Sequence, residues 1–338
     1  MTVTASAYAT DALPRTTVDA VVIGGGAAGL NGALTLARSR RSVVVIDSGT
    51  PRNAPAKAMH GFIVLDGTPP AELLGQSREQ VRRYGGRVVF GEVAAAEPAA
   101  PGGGGDPRFT LTLADGRTLT ARRVLVCTGL RDVLPDVPGL AEHWGRDVVH
   151  CPYCHGWEVR DEPIGALATG PASAHQALLF RQLTDDLVYF TRDTELDEDT
   201  RARFAARAIR IVDTPVREVV KSEDGGIAGV RLSDGTFAAR RILAVVPRMQ
   251  ARAEGLDGLK LPMEDVPDNM GRRIASGAAG ITEVPGVWVA GNATDLTAKL
   301  GASAAAGALA GADVNAHLAT ADTDAALAAA QGGTPITA

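Results

Sequence analysis

Val18-Asp-Ala-Val-Val-Ile23, Gly24-Gly25-Gly26-Ala27-Ala28-Gly29 and Ser42-Val-Val-Val-Ile46-Asp47 decide the fold of this chain. The first stretch reads as a short apolar strand and the second as a G-x-G-x-x-G turn. Leu30 to Ser39 reads as a helix, and the last stretch as a second strand closed by Asp47. The unit is strand, turn, helix, strand, the opening of an α/β nucleotide-binding fold. Gly24 permits the tight turn, Gly26 lets the backbone approach a pyrophosphate, and Gly29 lets helix and strand pack closely; Ala27 and Ala28 complete the loop. Its free N–H groups then face the phosphates. Asp47, at roughly 20 residues' separation, is placed to accept hydrogen bonds from a ribose. A glycine-rich helix cap is the plainer alternative, and it leaves Asp47 unexplained.

A second stretch carries the chemistry. Cys151-Pro-Tyr-Cys154-His155 holds two of the three cysteines, with His150 just before the pair. Thiols at this spacing can close as a disulfide, or one thiolate can stand beside an electron acceptor. One C-x-x-C half-site supplies too few ligands for structural zinc, because Cys127 lies in a Thr-Gly turn of its own and the other histidines are scattered, so no metal is expected. Haem attachment and an exported structural disulfide both require a leader, and no basic-then-apolar leader opens the chain. Two thiols that merely pack remain the dull alternative.

With 338 residues, 45% hydrophobic and 22% charged, the chain is long enough for two cores, and no apolar run suits a bilayer. A net charge of -5 with no basic stripe argues against nucleic acid. Three cysteines without a leader point to a reducing compartment, the cytoplasm.

The rest of the chain adds context. The arm from Met1 to Thr16 and the tail after Ala319 are expected to fray. Arg52, in a turn-rich loop, could approach the pyrophosphate or simply be solvated. Glu72 to Tyr84 reads as a surface helix, and the glycines between Pro98 and Pro107 as a loop tip. An internal echo follows: Phe109 to Leu113, Asp115-Gly116 and Ala121 to Val126 resemble Gly229 to Leu232, Asp234-Gly235 and Ala239 to Ala244. Two related modules are expected. The second module's nucleotide loop is worn, with Ala168 and Ser173 in place of small turn residues before a helix over 174–182. The next strand, Leu187 to Phe190, leads to Arg192 without a second basic residue. A nicotinamide nucleotide is poorly served there. Finally, Val287 to Asp295, with Gly291-Asn292, leads into a helix of very small residues beginning Leu300-Gly301-Ala302, which would let a flat ring system come close.

These motifs, together with Cys127-Thr128-Gly129, resemble the low-molecular-weight thioredoxin reductase superfamily over nearly the whole chain. The resemblance implies two Rossmann-like nucleotide-binding domains. Residues 1–133 and 248–338 would form a discontinuous FAD domain, and 134–247 a domain of NAD(P)-binding type carrying the redox pair. Thr128, Gly129, Gly291, Asn292, Gly301 and Ala302 would join the first loop, Asp47 and Arg52 around the flavin. Asn292 stands where the superfamily has an acid. Cys-Pro-Tyr-Cys-His-Gly-Trp-Glu is similar to the dithiol oxidases of disulfide antibiotics such as holomycin and gliotoxin, which pass electrons to O2 rather than take them from NADPH. The resemblance then implies Cys151 as the exchanging sulfur, Cys154 against the flavin, a small dithiol as substrate, H2O2 as product, and a homodimer. His155 is the expected base, with packing as its alternative role; His150 and His60 are weaker candidates. A thioredoxin reductase fed by NADPH or ferredoxin is the alternative activity. A flavin-binding redox sensor without turnover is a third.

Overall fold

The computed structural model describes residues 9–102 and 105–332. Its largest sheet has seven strands. β1 (Val18–Ile23) pairs in parallel with β2 (Val43–Asp47), and β2 with β3 (Arg87–Phe90). On its other side β1 pairs with β6 (Thr118–Val126), which carries β5 (Phe109–Leu113) and β4 (Val93–Pro98) antiparallel. β19 (Val287–Val289) runs in parallel beside the end of β6, so a late segment of the chain completes a sheet begun by the first.

α1 (Ala27–Arg38) and α6 (Leu300–Gly332) pack together on this sheet. Their crossing is made of the smallest residues available. A Cβ on Gly307 would lie 1.9 Å from the Ala28 carbonyl oxygen, and one on Gly311 2.6 Å from that of Gly32. α1 starts at Ala27, not Leu30, because the loop ends at Gly26 and Gly29 already sits inside the helix. α6 corrects the expectation of a frayed tail over 320–332. Alanine is the best helix former, and Asp322 pairs with both Arg41 and Arg122. The arm is corrected over 9–13 in the same way: Asp11 accepts the Val88 N–H and the Arg82 guanidinium, and Ala9 and Ala12 accept arginines. The expected fraying of 1–8 and 333–338, and part of the glycine loop tip, lie outside the described residues.

The middle of the chain builds a second parallel sheet. Its five strands, in spatial order, are β11 (Arg210–Val212), β10 (Leu187–Phe190), β9 (Ile164–Leu167), β15 (Ile242–Val245) and β8 (Val148–Val149). α4 (Ala172–Phe180) and α5 (Glu198–Ala206) cover one face, burying Phe180 and Phe204 completely. A small antiparallel sheet of β12 (Val216–Lys221), β13 (Ile227–Leu232) and β14 (Phe237–Ala239) covers the other.

Both Asp-Gly hairpins of the internal echo form, with Gly116 and Gly235 at φ of 83° and 89°. The echo then diverges. In the first module the strand after the turn runs unbroken to Val126, whereas in the second it breaks after Ala239, and Ile242 starts β15 in a different sheet.

The chain passes between the two large sheets twice, through β7 (Leu130–Val133) and β16 (Arg248–Ala251), which pair antiparallel. β17 (Met263–Val266) and β18 (Gly271–Ile274) complete that small sheet. α2 (Pro70–Arg83) lies beside α1, and α3 (Pro152–His155) is the single turn bearing the cysteines. Among the described residues no helix is long and apolar enough to cross a membrane.

Candidate active site

The N-terminal loop, the start of α6 and the redox turn open into one cleft of about 530 Å³. Its wall includes Gly24, Gly25, Gly26, Ala27 and Ala28. Gly24 has a φ of 105°, and a Cβ there would strike the Cys127 carbonyl oxygen at 2.3 Å. Gly26 has open space where its side chain would be, so a ligand can approach its backbone. Gly25, which the spacing does not single out, has the stricter role: its Cβ would lie 2.4 Å from Asp47 Oδ2.

Asp47 is buried. Its Oδ2 accepts from Arg78 at 2.9 Å, and its Oδ1 accepts the Gly49 N–H at 3.1 Å. This carboxylate is therefore fixed by a side chain 31 residues away as well as facing the cleft. Arg52 reaches the cleft in a two-point pair with Asp132, at 2.6 and 2.8 Å. Thr128 and Gly129 line the wall, with the Thr128 hydroxyl donating to the Arg252 carbonyl. Asn292 lines it too, while its amide N–H2 donates to the Ala298 carbonyl at 2.7 Å and leaves its oxygen as the acceptor.

Four expected positions do not form cleft wall. Gly29 faces the Gly24 carbonyl within the turn, Gly291 turns the chain over Ala28, and Gly301 abuts the Phe62 ring. Ala302 is exposed. On a helix starting at Leu300 it is Leu300 and Ser303 that point inward, one turn apart.

Cys151 and Cys154, also in the wall of this cleft, are bonded as a disulfide. Cys151 caps α3, its sulfur accepting the Cys154 N–H at 3.1 Å, and Pro152 at the first helical position needs no partner for its missing N–H. Tyr153 lies between the cysteines, with the Lys299 ammonium 3.7 Å from its ring centre. This contact joins the redox turn to the approach of α6, and no sequence motif marks it.

His155 lines the cleft, and its Nε2 is buried without a hydrogen-bond partner. Burial pushes the imidazole pKa down, opposed by Glu158 and assisted by His60. The neutral form is favoured, which is the form that accepts a proton but not the one that would stabilise a thiolate by charge. His150 is also pushed down, first by burial and then by Arg52; its Nδ1 lies 3.2 Å from the Val245 carbonyl oxygen. Cys127 lies under the cleft as a free thiol, and burial raises its pKa to about 12. It is inert at ordinary pH.

A separate cavity of about 230 Å³ lies at the second nucleotide loop. The Thr169 N–H there donates to Ser173 Oγ at 2.9 Å, and Arg192 folds back to donate to the Ala168 carbonyl at 3.0 Å. Arg248, distant in sequence, joins Arg192 in the wall.

Over residues 18–312 the chain matches the family model described as pyridine nucleotide-disulphide oxidoreductase. The chain belongs to this family. It is 35% identical over 285 residues to thioredoxin reductase tcpT of Claviceps purpurea, covering 81% of this chain and 86% of that one. It is 33% identical over 267 residues to thioredoxin reductase sirT of Leptosphaeria maculans, covering 74% and 80%. The crystal structure of HlmI superposes with a TM-score of 0.87 at 44% identity, over 95% of this chain and 99% of that one. An oxidoreductase from Agrobacterium tumefaciens gives 0.82 at 32%, over 90% and 99%. The thioredoxin reductase-like resemblance holds along the chain, and the protein is an FAD-dependent disulfide oxidoreductase.

The observed cleft fits that cofactor. The open backbone at Gly26, the fixed Asp47 carboxylate and the Asn292 oxygen suit pyrophosphate, ribose and ribityl groups respectively.

Proposed function

We propose that the protein is a dithiol oxidase that closes an intramolecular disulfide in a small molecule, with O2 as final acceptor and H2O2 as product. The observation that carries this reading is that the bonded Cys151–Cys154 pair and the Gly24–Ala28 loop open into the same cleft. Residues 1–133 and 248–338 would form the FAD-binding part and 134–247 the part bearing the cysteines, with the paired strands β7 and β16 of the first part leading into and out of the second. By resemblance the enzyme works as a cytoplasmic homodimer.

FAD bound in the cleft would supply a two-electron acceptor for the enzyme dithiol and a route onward to O2. The residues of the chain perform the exchange. His155, kept neutral by burial, takes a proton from a substrate thiol. The thiolate attacks Cys151 Sγ, the Cys151–Cys154 bond breaks, and its electron pair leaves on Cys154. The second substrate thiol, also deprotonated, attacks the substrate sulfur of the mixed disulfide and releases Cys151. The substrate leaves as a disulfide and the two cysteines hold its two electrons.

The second loop supports oxidation rather than reduction fed by NADPH. The Thr169 N–H that a pyrophosphate would use is taken by Ser173, and the Arg192 guanidinium is turned onto the Ala168 carbonyl. The relatives named thioredoxin reductase keep the reverse activity as the competing reading.

Oxygen uptake with a panel of small dithiols, set against NADPH with thioredoxin, tests the proposal. Dithiol-dependent uptake with one disulfide formed per O2, lost in Cys151→Ser and Cys154→Ser while FAD stays bound, is expected. Turnover undiminished in Cys154→Ser would exclude the exchange route.

A further inference from the structure

Among the described residues, both carboxylates in the cleft wall are matched by arginines, Asp47 by Arg78 at 2.9 Å and Asp132 by Arg52 at 2.6 Å. His60, in the same wall, lies 3.4 Å from Glu158 Oε1 and 3.3 Å from Asp66 Oδ2. That leaves Arg252 and Lys299 as the cleft cations with no ion-pair partner among the described residues. Arg252 is tied through its backbone to Gly129 and Thr128, on the side of the cofactor loop. Lys299 stands by the sulfurs. Its ammonium lies 3.7 Å from the ring centre of Tyr153, the residue next to Cys154 and two from Cys151. The Lys299 carbonyl accepts the Ser303 N–H at 2.8 Å, which fixes its backbone in the opening turn of α6. The first turn of that helix carries no acid. A cation beside the positive end of a helix, with no carboxylate to offset it, does not serve stability. An anion would be drawn to the same place. A lysine on a tyrosine ring is commonly a surface contact, but this one lines the cleft that holds the disulfide.

We propose that Lys299 holds a carboxylate of the substrate, so that the small dithiol is an acid whose charge seats on this ammonium while its thiols meet the Cys151–Cys154 bond. The inference rests on the dithiol reading above and adds the charge of the substrate to it. Tyr153 keeps the ammonium in place while the cleft is free of substrate. A cation–π contact at an exposed site is weaker than a hydrogen bond between charged partners, so a carboxylate takes the ammonium from the ring. The flexible lysine stem lets the charge move while the helix end stays fixed. Because Lys299 is exposed, salt screens the attraction.

Oxygen uptake by the FAD-loaded enzyme with dihydrolipoate and with dihydrolipoamide tests the anchor. The two share one dithiol and one chain and differ in a carboxylate against a neutral amide. Wild type should favour the acid about ten-fold in kcat/KM at low salt, the effect of one charged hydrogen bond, and the preference should shrink as salt is added. The difference should sit in KM rather than kcat. Lys299→Met should bring the two substrates within about two-fold of each other, and Lys299→Arg should keep the preference. Tyr153→Leu removes the ring but leaves the ammonium, so it should keep the preference as well. A preference that survives in Lys299→Met, or one lost equally in Tyr153→Leu as a merely structural contact requires, would overturn the anchor. Loss of FAD from Lys299→Met, read as the flavin-to-protein absorbance ratio, would overturn it too, by assigning the charge to the cofactor. A wild type that oxidises neither dithiol removes the parent reading and the anchor together. One that oxidises both alike removes the anchor alone.

Discussion

Gly307→Ala is the substitution that most sharply tests how the cleft is held. The new Cβ would lie 1.9 Å from the Ala28 carbonyl oxygen, 2.6 Å from its carbon and 2.7 Å from its Cα. All three atoms are backbone, so no rotamer change relieves the contact and α1 and α6 must part. Overpacking of this kind costs about 1–3 kcal/mol and sometimes more, while alanine gains about 1 kcal/mol over glycine inside a helix. Because the clash is with rigid backbone, we expect the upper end, a net loss of about 2 kcal/mol. In a unit of this size that lowers the melting temperature by roughly 4–8 °C. The consequence reaches the site, since Ala27 and Ala28 at the start of α1 and Leu300 and Ser303 at the start of α6 all line the cleft. FAD retained through gel filtration should fall in step with stability. Gly26→Ala is the contrasting control: its Cβ meets nothing within 4 Å, so the fold should stand while FAD binding weakens. Melting by circular dichroism together with the flavin-to-protein absorbance ratio reads both. A Gly307→Ala protein that melts within about a degree of wild type would refute the close crossing.

Further outcomes follow from buried groups. Arg78→Met strands the Asp47 carboxylate without its ion-pair partner and should cost about 3–5 kcal/mol by denaturant titration, more than any exposed pair. His150 has a depressed pKa, so the unfolded chain takes up its proton more readily. Its stabilising contribution is therefore complete above the unfolded value of about 6.5 and is lost as pH falls through its folded pKa, which melting between about pH 7 and 5 should show. Reduced native enzyme should take up two equivalents of iodoacetamide rather than three near pH 8, because burial holds the Cys127 thiol protonated; mass spectrometry of the digest identifies the sites.

Local signals made much of this legible in the sequence. The Gly24–Gly29 turn, its flanking strands and both Asp-Gly hairpins lie where periodicity and turn chemistry place them. The start of α1 was less legible because glycines and alanines after Gly26 look like loop, although the first turn of the helix passes through them. The tail is poorly legible for a related reason: low-complexity alanine resembles a frayed end, and the partners of Asp322, Arg41 and Arg122, lie some 281 and 200 positions away. Long-range pairing also hid much of the site. Nothing near Asp47 announces Arg78, nothing near His60 announces Glu158, and Lys299 finds Tyr153 only through the fold. Ala302 illustrates the opposite limit. Small-residue composition identifies the helix, but only its starting residue fixes which positions face inward.

The central claim is that electrons enter from a small dithiol through Cys151 and Cys154. The most direct measurement is the visible spectrum of the FAD-loaded protein mixed with a dithiol in the absence of oxygen, beside an identical sample given NADPH. Rapid bleaching by the dithiol, abolished in Cys154→Ser, with the NADPH sample staying yellow, is the expected result. Rapid bleaching by NADPH with none from any dithiol would contradict the account.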